Sequence, residues 1–295
     1  MKSLLVTSLI TSERYDENRN NSYYEILDFV SDNVILLKNA MFEEYRRRTI
    51  EILKFRGVPH LKGQESFTIK ENHGIIIISF EREEFYDKPN RKRIPTGIEP
   101  LNKITGGGFF TGSSVLISGQ TGTGKTLYSL KMLDGALRQG ERCIMFNFEE
   151  GRDQILYKAH KWNIDLEQAE NKGILRMVYK YPEAQGIEDL IVDMKLLIES
   201  FHPDRIFIDS ISALERITTK ITFRESLINL FLFARKKGIV AIFTTTAPTF
   251  SEYFLENEKH ISTLSDTIIL LRYFEQDSKM IRGIAIMKMR DSDHL

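Results

Sequence analysis

Residues Gly119 to Thr126 read GQTGTGKT, with the apolar run SSVLISG leading into them and LYSLKML, apolar at helical spacing, leading out. The pattern G-x-x-x-x-G-K-[ST] between a strand and a helix is that of a phosphate-binding loop. Gly119, Gly122 and Gly124 free the backbone to turn its amides inward, so that Gln120, Thr121 and Thr123 can present N–H groups to phosphate oxygens. Lys125 reaches the outer phosphates, Thr126 offers a hydroxyl to magnesium, and the following helix aims its positive end at the anion. All eight residues are therefore read as a site for ATP with Mg2+.

Such a loop needs a carboxylate on the magnesium side, at the end of a neighbouring strand. The run RIFIDS places Asp209 there; a helix N-cap would look the same, and the two duties are compatible. FNFEE ends another apolar run with Glu149 and Glu150, where a carboxylate near the γ-phosphate can orient or deprotonate a nucleophile. A solvated strand end would carry the same pair, and the residues alone leave the choice between Glu149 and Glu150 open. Thr244 to Thr246 close a further strand and are either phosphate sensors or a solvated strand end.

Outward from the loop the chain alternates strand and helix. Apolar runs at SSVLISG, RCIMFNF, ILRMVYKY, RIFIDSI and GIVAIFTTT are separated by helices expected from about Gly124, near Arg152, over Ile187 to Phe201 and over Phe223 to Lys237. Continuously apolar strands predict an α/β fold with a mostly parallel sheet covered by helices on both faces. DTIILLRYFE and KMIRGIAIMKMR, joined at QDSK, predict a hairpin at one edge.

The chain also matches itself. A shift of 234 residues lays FVSDNVILLK (from Phe29) on TLSDTIILLR (from Thr263), and RTIEILKFRGVPHL (from Arg48) on RGIAIMKMRDSDHL (from Arg282), without a gap. About 12 of the 33 aligned positions are identical, including Lys54 with Lys288, Arg56 with Arg290 and His60 with His294. Residues 1–85 are accordingly expected to be the back part of one unit, without a phosphate loop. Residues 86–295 are expected to be a second unit lacking only a terminal strand pair of the kind that FTI and IIII form around ENHG. The opening MKSLLVTSLI is read as a buried strand, the charged stretch Glu81 to Arg93 as the linker, and the chain as a piece of a longer double-repeat protein.

Composition narrows the rest. The 41 basic and 41 acidic side chains cancel, which gives no footprint for nucleic acid. The loop Glu215 to Arg224 is the place where a DNA motor would grip its strand, and it has no aromatic platform before Phe223. No run nears the roughly 18 apolar residues of a membrane span, so the expected location is the cytoplasm. The single cysteine, Cys143, sits in an apolar run and is read as a small core residue.

The segment RIPTGIEPLNKITGGGF (from Arg93) resembles the lead-in of RecA-like ATPases. Together with GQTGTGKT, FEEGRDQIL, YPEAQGIEDL, FIDSISALER, SDTIILLR and KMRDSDHL it resembles the second repeat of the KaiC family, while RRRTIEILKFRGVPHLKGQESFTIKENHGIIIISF resembles the end of that family's first repeat. The resemblance implies a RecA-like P-loop fold with a partial second copy at the N-terminus, homohexameric rings and ATP between neighbouring subunits. It implies that Lys288 and Arg290 reach the γ-phosphate of the adjacent subunit, and that Lys54 and Arg56 do so in the first ring. It implies ATPase and serine/threonine autokinase activity, with Glu150 as the base and Glu149 as its neighbour, and KaiA- and KaiB-like regulators. Ungapped alignment of SALERITTKITFR puts the phosphoacceptor pair on Thr219 and Lys220; the lysine cannot accept phosphate, which leaves Thr218 and Thr219 as candidates. A KaiC-like signalling ATPase outside any clock is the second reading.

Overall fold

The structure, a computed structural model, describes residues 6–13, 22–42, 45–60, 62–78, 92–246 and 264–290. The linker expected at Glu81 to Arg93 falls outside them up to position 91, as does His294.

The first part is helix α1 (Ser22–Val30) and an antiparallel sheet of β1 (Asn33–Phe42), β2 (Tyr45–Phe55), β3 (Gln64–Lys70) and β4 (Gly74–Ile78), in that spatial order. There follow β5 (Arg93–Ile94), α2 (Glu99–Ile104), β6 (Phe109–Phe110), β7 (Ser114–Gly119), α3 (Lys125–Arg138), β8 (Cys143–Asn147), α4 (Arg152–Lys161), α5 (Leu166–Asn171) and β9 (Leu175–Tyr179). The chain continues through α6 (Ile187–Phe201), β10 (Arg205–Asp209), α7 (Ile211–Glu215), α8 (Lys220–Lys236), β11 (Val240–Thr246), β12 (Thr267–Gln276) and β13 (Lys279–Met289).

The main sheet has seven strands in the order β13-β12-β7-β11-β10-β8-β9, parallel except for β13, which returns antiparallel at the edge. The strands are apolar on both faces because both faces are covered. Ile144, Phe146, Ile206 and Ile208 pack toward α6 and α8. Val115, Ile117, Met145 and Phe207 pack on the opposite face with Leu130 and Leu133 of α3 and Ile155 of α4. Each such side chain removed from water contributes about 1.5–3 kcal/mol, and the alternation fixes the register because a one-residue slip would exchange the two cores.

The two hairpins β1–β2 and β12–β13 are copies at the offset read from the sequence. Asn33 pairs with Phe55 as Thr267 pairs with Met289, and the register shifts between Val34 and Ile35 as it does between Ile268 and Ile269. Lys54 donates to the carbonyl of Ser31 at 2.7 Å, and Lys288 to that of Ser265 at 2.7 Å. The Gln276–Lys279 turn keeps positive φ at Asp277 and Ser278, the geometry that matches strand twist in a tight hairpin. The expected β3–β4 hairpin around ENHG is also present.

Two expectations need correction. Residues 6–10 are not a buried strand: Val6, Leu9 and Ile10 are 62%, 92% and 66% exposed. Their counterpart β11 is held on both sides by β7 and β10, and residues 6–10 have no such neighbours among the described residues. Helix α8 begins at Lys220, not Phe223, because Thr219 caps it by accepting from the Thr222 amide.

The four-stranded sheet meets the larger unit along α6 through charged and polar pairs. Arg47 bridges Glu188 at 2.9 Å, Lys70 bridges Asp193 at 2.6 Å, and Thr68 donates to Asp189.

Candidate nucleotide site

β7 delivers the chain to the carboxyl edge of the sheet, and the phosphate loop turns there into α3. Gly119 is required by packing: a Cβ on it would stand 2.4 Å from the carbonyl oxygen of Leu271 on the adjoining β12. Gly124, with φ +103, is required by backbone conformation. The loop closes on itself through Thr123, whose hydroxyl donates to Gln120 O at 2.7 Å. Tyr273 of β12 braces its apex by donating to Gly122 O at 2.7 Å.

Lys125 opens α3, and its ammonium group donates to Gly119 O at 2.8 Å and Gln120 O at 3.1 Å. Burial lowers its pKa, opposed by the charges of Asp209 and Glu149. The lysine is thus held over the loop with the two carboxylates near it.

Asp209 ends β10 and is 7% exposed. Burial raises its pKa; hydrogen bonds from Thr244 and Thr126 oppose that, while Glu149 and Glu150 add to it. The loop threonine and the strand-end aspartate therefore meet, as a magnesium site requires. Among the described residues no cluster of three or more His, Cys, Asp or Glu side chains is arranged to hold a metal. One carboxylate and one hydroxyl fit Mg2+, which keeps waters and takes its remaining ligands from substrate phosphates.

The two glutamates separate. Glu149 accepts from the Ser210 hydroxyl at 2.8 Å, beside Asp209, and Arg216 stands 3.5 Å from it. Glu150 is held by both oxygens to the Lys158 ammonium of α4, at 2.6 Å for Oε2. Glu149 thus stands on the Asp209 side of the site, and Glu150 is turned toward α4. Thr244 is buried against Asp209 and Thr245 is buried with a 3.2 Å hydrogen bond to Ser212, while Thr246, at the strand end, is exposed.

Other sequence candidates lie away from the loop of their own chain. Leu271, midway along β12, pairs with Gly119 at the loop end of β7, and Thr267, the first residue of β12, pairs with Val115 at the other end of β7 and with Met289 of β13. Lys288 and Arg290 therefore stand at the opposite end of the sheet from the phosphate loop. Lys54 and Arg56 occupy the same place in the first hairpin, Arg56 paired with Asp32 at 3.3 Å. Thr219 is the cap of α8, and Thr218 lines a cleft with Arg46, Arg48 and Gly186. Positions 215–224, the stretch a DNA motor would use as a grip, are mostly helical in α7 and α8. Sequence reading missed Tyr273, whose only signal was an aromatic on a strand of the hairpin expected at one edge of the sheet.

Comparison with known proteins decides the family. The family model described as "ATPase: KaiC" matches residues 1–82 and 94–295. The chain belongs to the KaiC family.

It is 44% identical over 294 residues to circadian clock protein KaiC3 of Synechocystis sp., covering 100% of this chain and 58% of that protein. It is 44% identical over 294 residues to the circadian clock oscillator protein KaiC of Picosynechococcus sp. (100% of this chain, 57% of that one). Against the KaiC of Prochlorococcus marinus the identity is 41% over 294 residues, with 100% and 59% covered. The chain thus spans somewhat more than half the length of these relatives. The KaiC-family fold is RecA-like, and the mostly parallel seven-stranded sheet with its loop after β7 is that fold here. No helix among the described residues is long and apolar enough to cross a membrane.

Proposed function

We propose that this KaiC-family chain binds Mg·ATP on the loop Gly119–Thr126 and hydrolyses it at the junction between two copies. The observation that carries this is the convergence of Thr126, Asp209 and Lys125 at the carboxyl edge of the sheet, with Glu149 beside them. Lys125 and the loop amides bind the triphosphate, and Thr126 with Asp209 holds the metal, which neutralises phosphate charge. Glu149 orients the attacking water and takes its proton.

The position of Lys288 and Arg290, at the far end of the sheet from their own loop, supports a site completed by a neighbour. A head-to-tail contact of this sort closes into a ring, of six copies by likeness to the family. In the same reading residues 1–85 are the back part of a preceding repeat and 86–295 the second repeat. The exposed apolar side chains Ile35, Leu37, Ile75 and Ile77 on the small sheet support a first unit with more of its own core.

The finer proposals rest on the relatives' names and the family resemblance: a role in a circadian-type oscillator, KaiA- and KaiB-like partners, a cytoplasmic location and autophosphorylation on a hydroxyl of the chain. The capping duty of Thr219 weighs against it as acceptor, so the phosphate is to be mapped over every serine and threonine.

Steady-state ATP turnover of the wild type and Lys125→Ala, with gel filtration in the presence and absence of Mg·ATP, tests the main proposal. Turnover that is lost in the variant, and assembly of the wild type driven by Mg·ATP, are expected; equal turnover in the variant contradicts the proposal. Phosphopeptide mapping after incubation with Mg·ATP tests the kinase proposal, and a chain free of phosphate removes it.

A further inference from the structure

The carboxylate of Asp266, 4% exposed at the start of β12, gathers three elements that are distant in sequence. Its Oδ2 accepts from the Ser114 amide at 2.9 Å, the Ser114 hydroxyl at 3.1 Å and the Arg235 guanidinium of α8 at 2.6 Å. The Arg290 guanidinium lies 3.6 Å from its Oδ1, and the Arg290 amide donates to the Asp266 carbonyl at 2.9 Å. Lys288 is tied one residue earlier, to the carbonyl of Ser265. The first hairpin repeats the pattern with Asp32 and Arg56, except that the Asp32 side chain is 52% exposed and the Asp266 side chain only 6%.

An arginine at the end of an edge strand has about 2 kcal/mol of rotamer entropy to lose before it can stabilise a transition state. Electrostatic catalysis requires that loss to be met in advance, by a group that does not move during reaction. A buried carboxylate fixed by two donors of Ser114 is such a group. Arg235 holds the closer position on it, at 2.6 Å against 3.6 Å for Arg290, so one negative charge is shared between two cations.

We propose that Asp266 is the positioning residue for Arg290: it orients the guanidinium that the triphosphate of a neighbouring copy meets, while Arg235 takes the larger share of its charge. This rests on the reading that Arg290 acts across the interface.

A double-mutant cycle on ATP turnover tests it, with Asp266→Asn, Arg290→Ala and the pair. Asparagine keeps an acceptor for the Ser114 amide and removes the charge. With Arg290 present, Asp266→Asn is expected to lower kcat about tenfold and to change KM for ATP less than about threefold, as small misplacements of a transition-state group do. In the Arg290→Ala background it is expected to add less than about twofold. An equal factor in both backgrounds overturns the positioning role while leaving the shared site intact. Unchanged turnover in Arg290→Ala alone removes the shared-site reading and the positioning role together. Melting curves establish that Asp266→Asn is folded; should it not be, Ser114→Ala, which removes one anchor of the carboxylate, takes its place. Its loss of kcat, expected to be about two- to fivefold, must also depend on Arg290, and a loss independent of Arg290 overturns the proposal.

Discussion

Thr244 donates its hydroxyl to the carboxylate of Asp209, and both side chains are buried on neighbouring strands at the edge where the phosphate loop opens. A carboxylate this dry, with two more glutamates adding negative potential, is arranged for a cation and costs the fold stability without one. Asp209→Asn is expected to raise the stability of the nucleotide-free protein by about 1–2 kcal/mol and to lower ATP turnover by at least about a hundredfold. Denaturant melts beside turnover assays check both; an unchanged turnover would remove Asp209 from the metal site.

The same carboxylate sets a pH dependence. Its pKa is raised on folding, so the folded state holds the proton more tightly than the unfolded chain. The stability it contributes is present at low pH and is lost as pH rises from the ordinary value of 3.8 through the raised native one. Magnesium requires the ionised form, so Mg·ATP binding should strengthen over that same rise and release a proton. Calorimetry in two buffers of different ionisation enthalpy measures the release, which is expected in the wild type and absent in Asp209→Asn.

Glu149 and Glu150 should differ sharply. Glu149→Gln is expected to lower kcat by about 10²–10⁴-fold, since it removes the carboxylate beside Ser210 and Asp209. Glu150→Gln leaves that group in place and loses the pair with Lys158, for an expected loss under about tenfold. Single-turnover hydrolysis of both variants decides the order, and the opposite order would restore Glu150 as the base.

Gly119→Ala tests the contact between the loop strand and β12. The new methyl group meets the Leu271 carbonyl, backbone that cannot step aside, so a loss of about 1–3 kcal/mol in stability is expected together with weaker nucleotide binding. Gly124→Ala meets nothing within 4 Å, and its cost comes from φ alone. Tm and nucleotide titration of the two variants separate packing from strain.

Much of this was legible in the order of residues because the signals were local. GQTGTGKT carries its own context, and the repeated K-x-R segments were visible as a gapless shift of 234 residues. Asp209 followed from the loop's need for a partner. What escaped depended on distance. Asp266 and Ser114 are 152 positions apart, and nothing in either neighbourhood announces that they share a hydrogen bond. Lys158 of α4 reaches back to Glu150, a pairing that eight intervening positions do not announce. Thr219 reads alike as a loop hydroxyl and as a cap, and only the Thr222 amide tells them apart. Helices α2, α5 and α7, of 6, 6 and 5 residues, are too short for a period to appear.

The shared site is tested most directly by mixing two inactive variants. Lys125→Ala lacks a working loop but keeps Lys288 and Arg290, whereas Arg290→Ala keeps the loop and lacks the arginine. In an equal, freely exchanging mixture about one interface in four combines an intact loop with an intact arginine. Turnover is expected to recover toward that fraction of wild type. Two variants that remain inactive when mixed, although gel filtration shows them co-assembled, would contradict a site completed by a neighbouring copy.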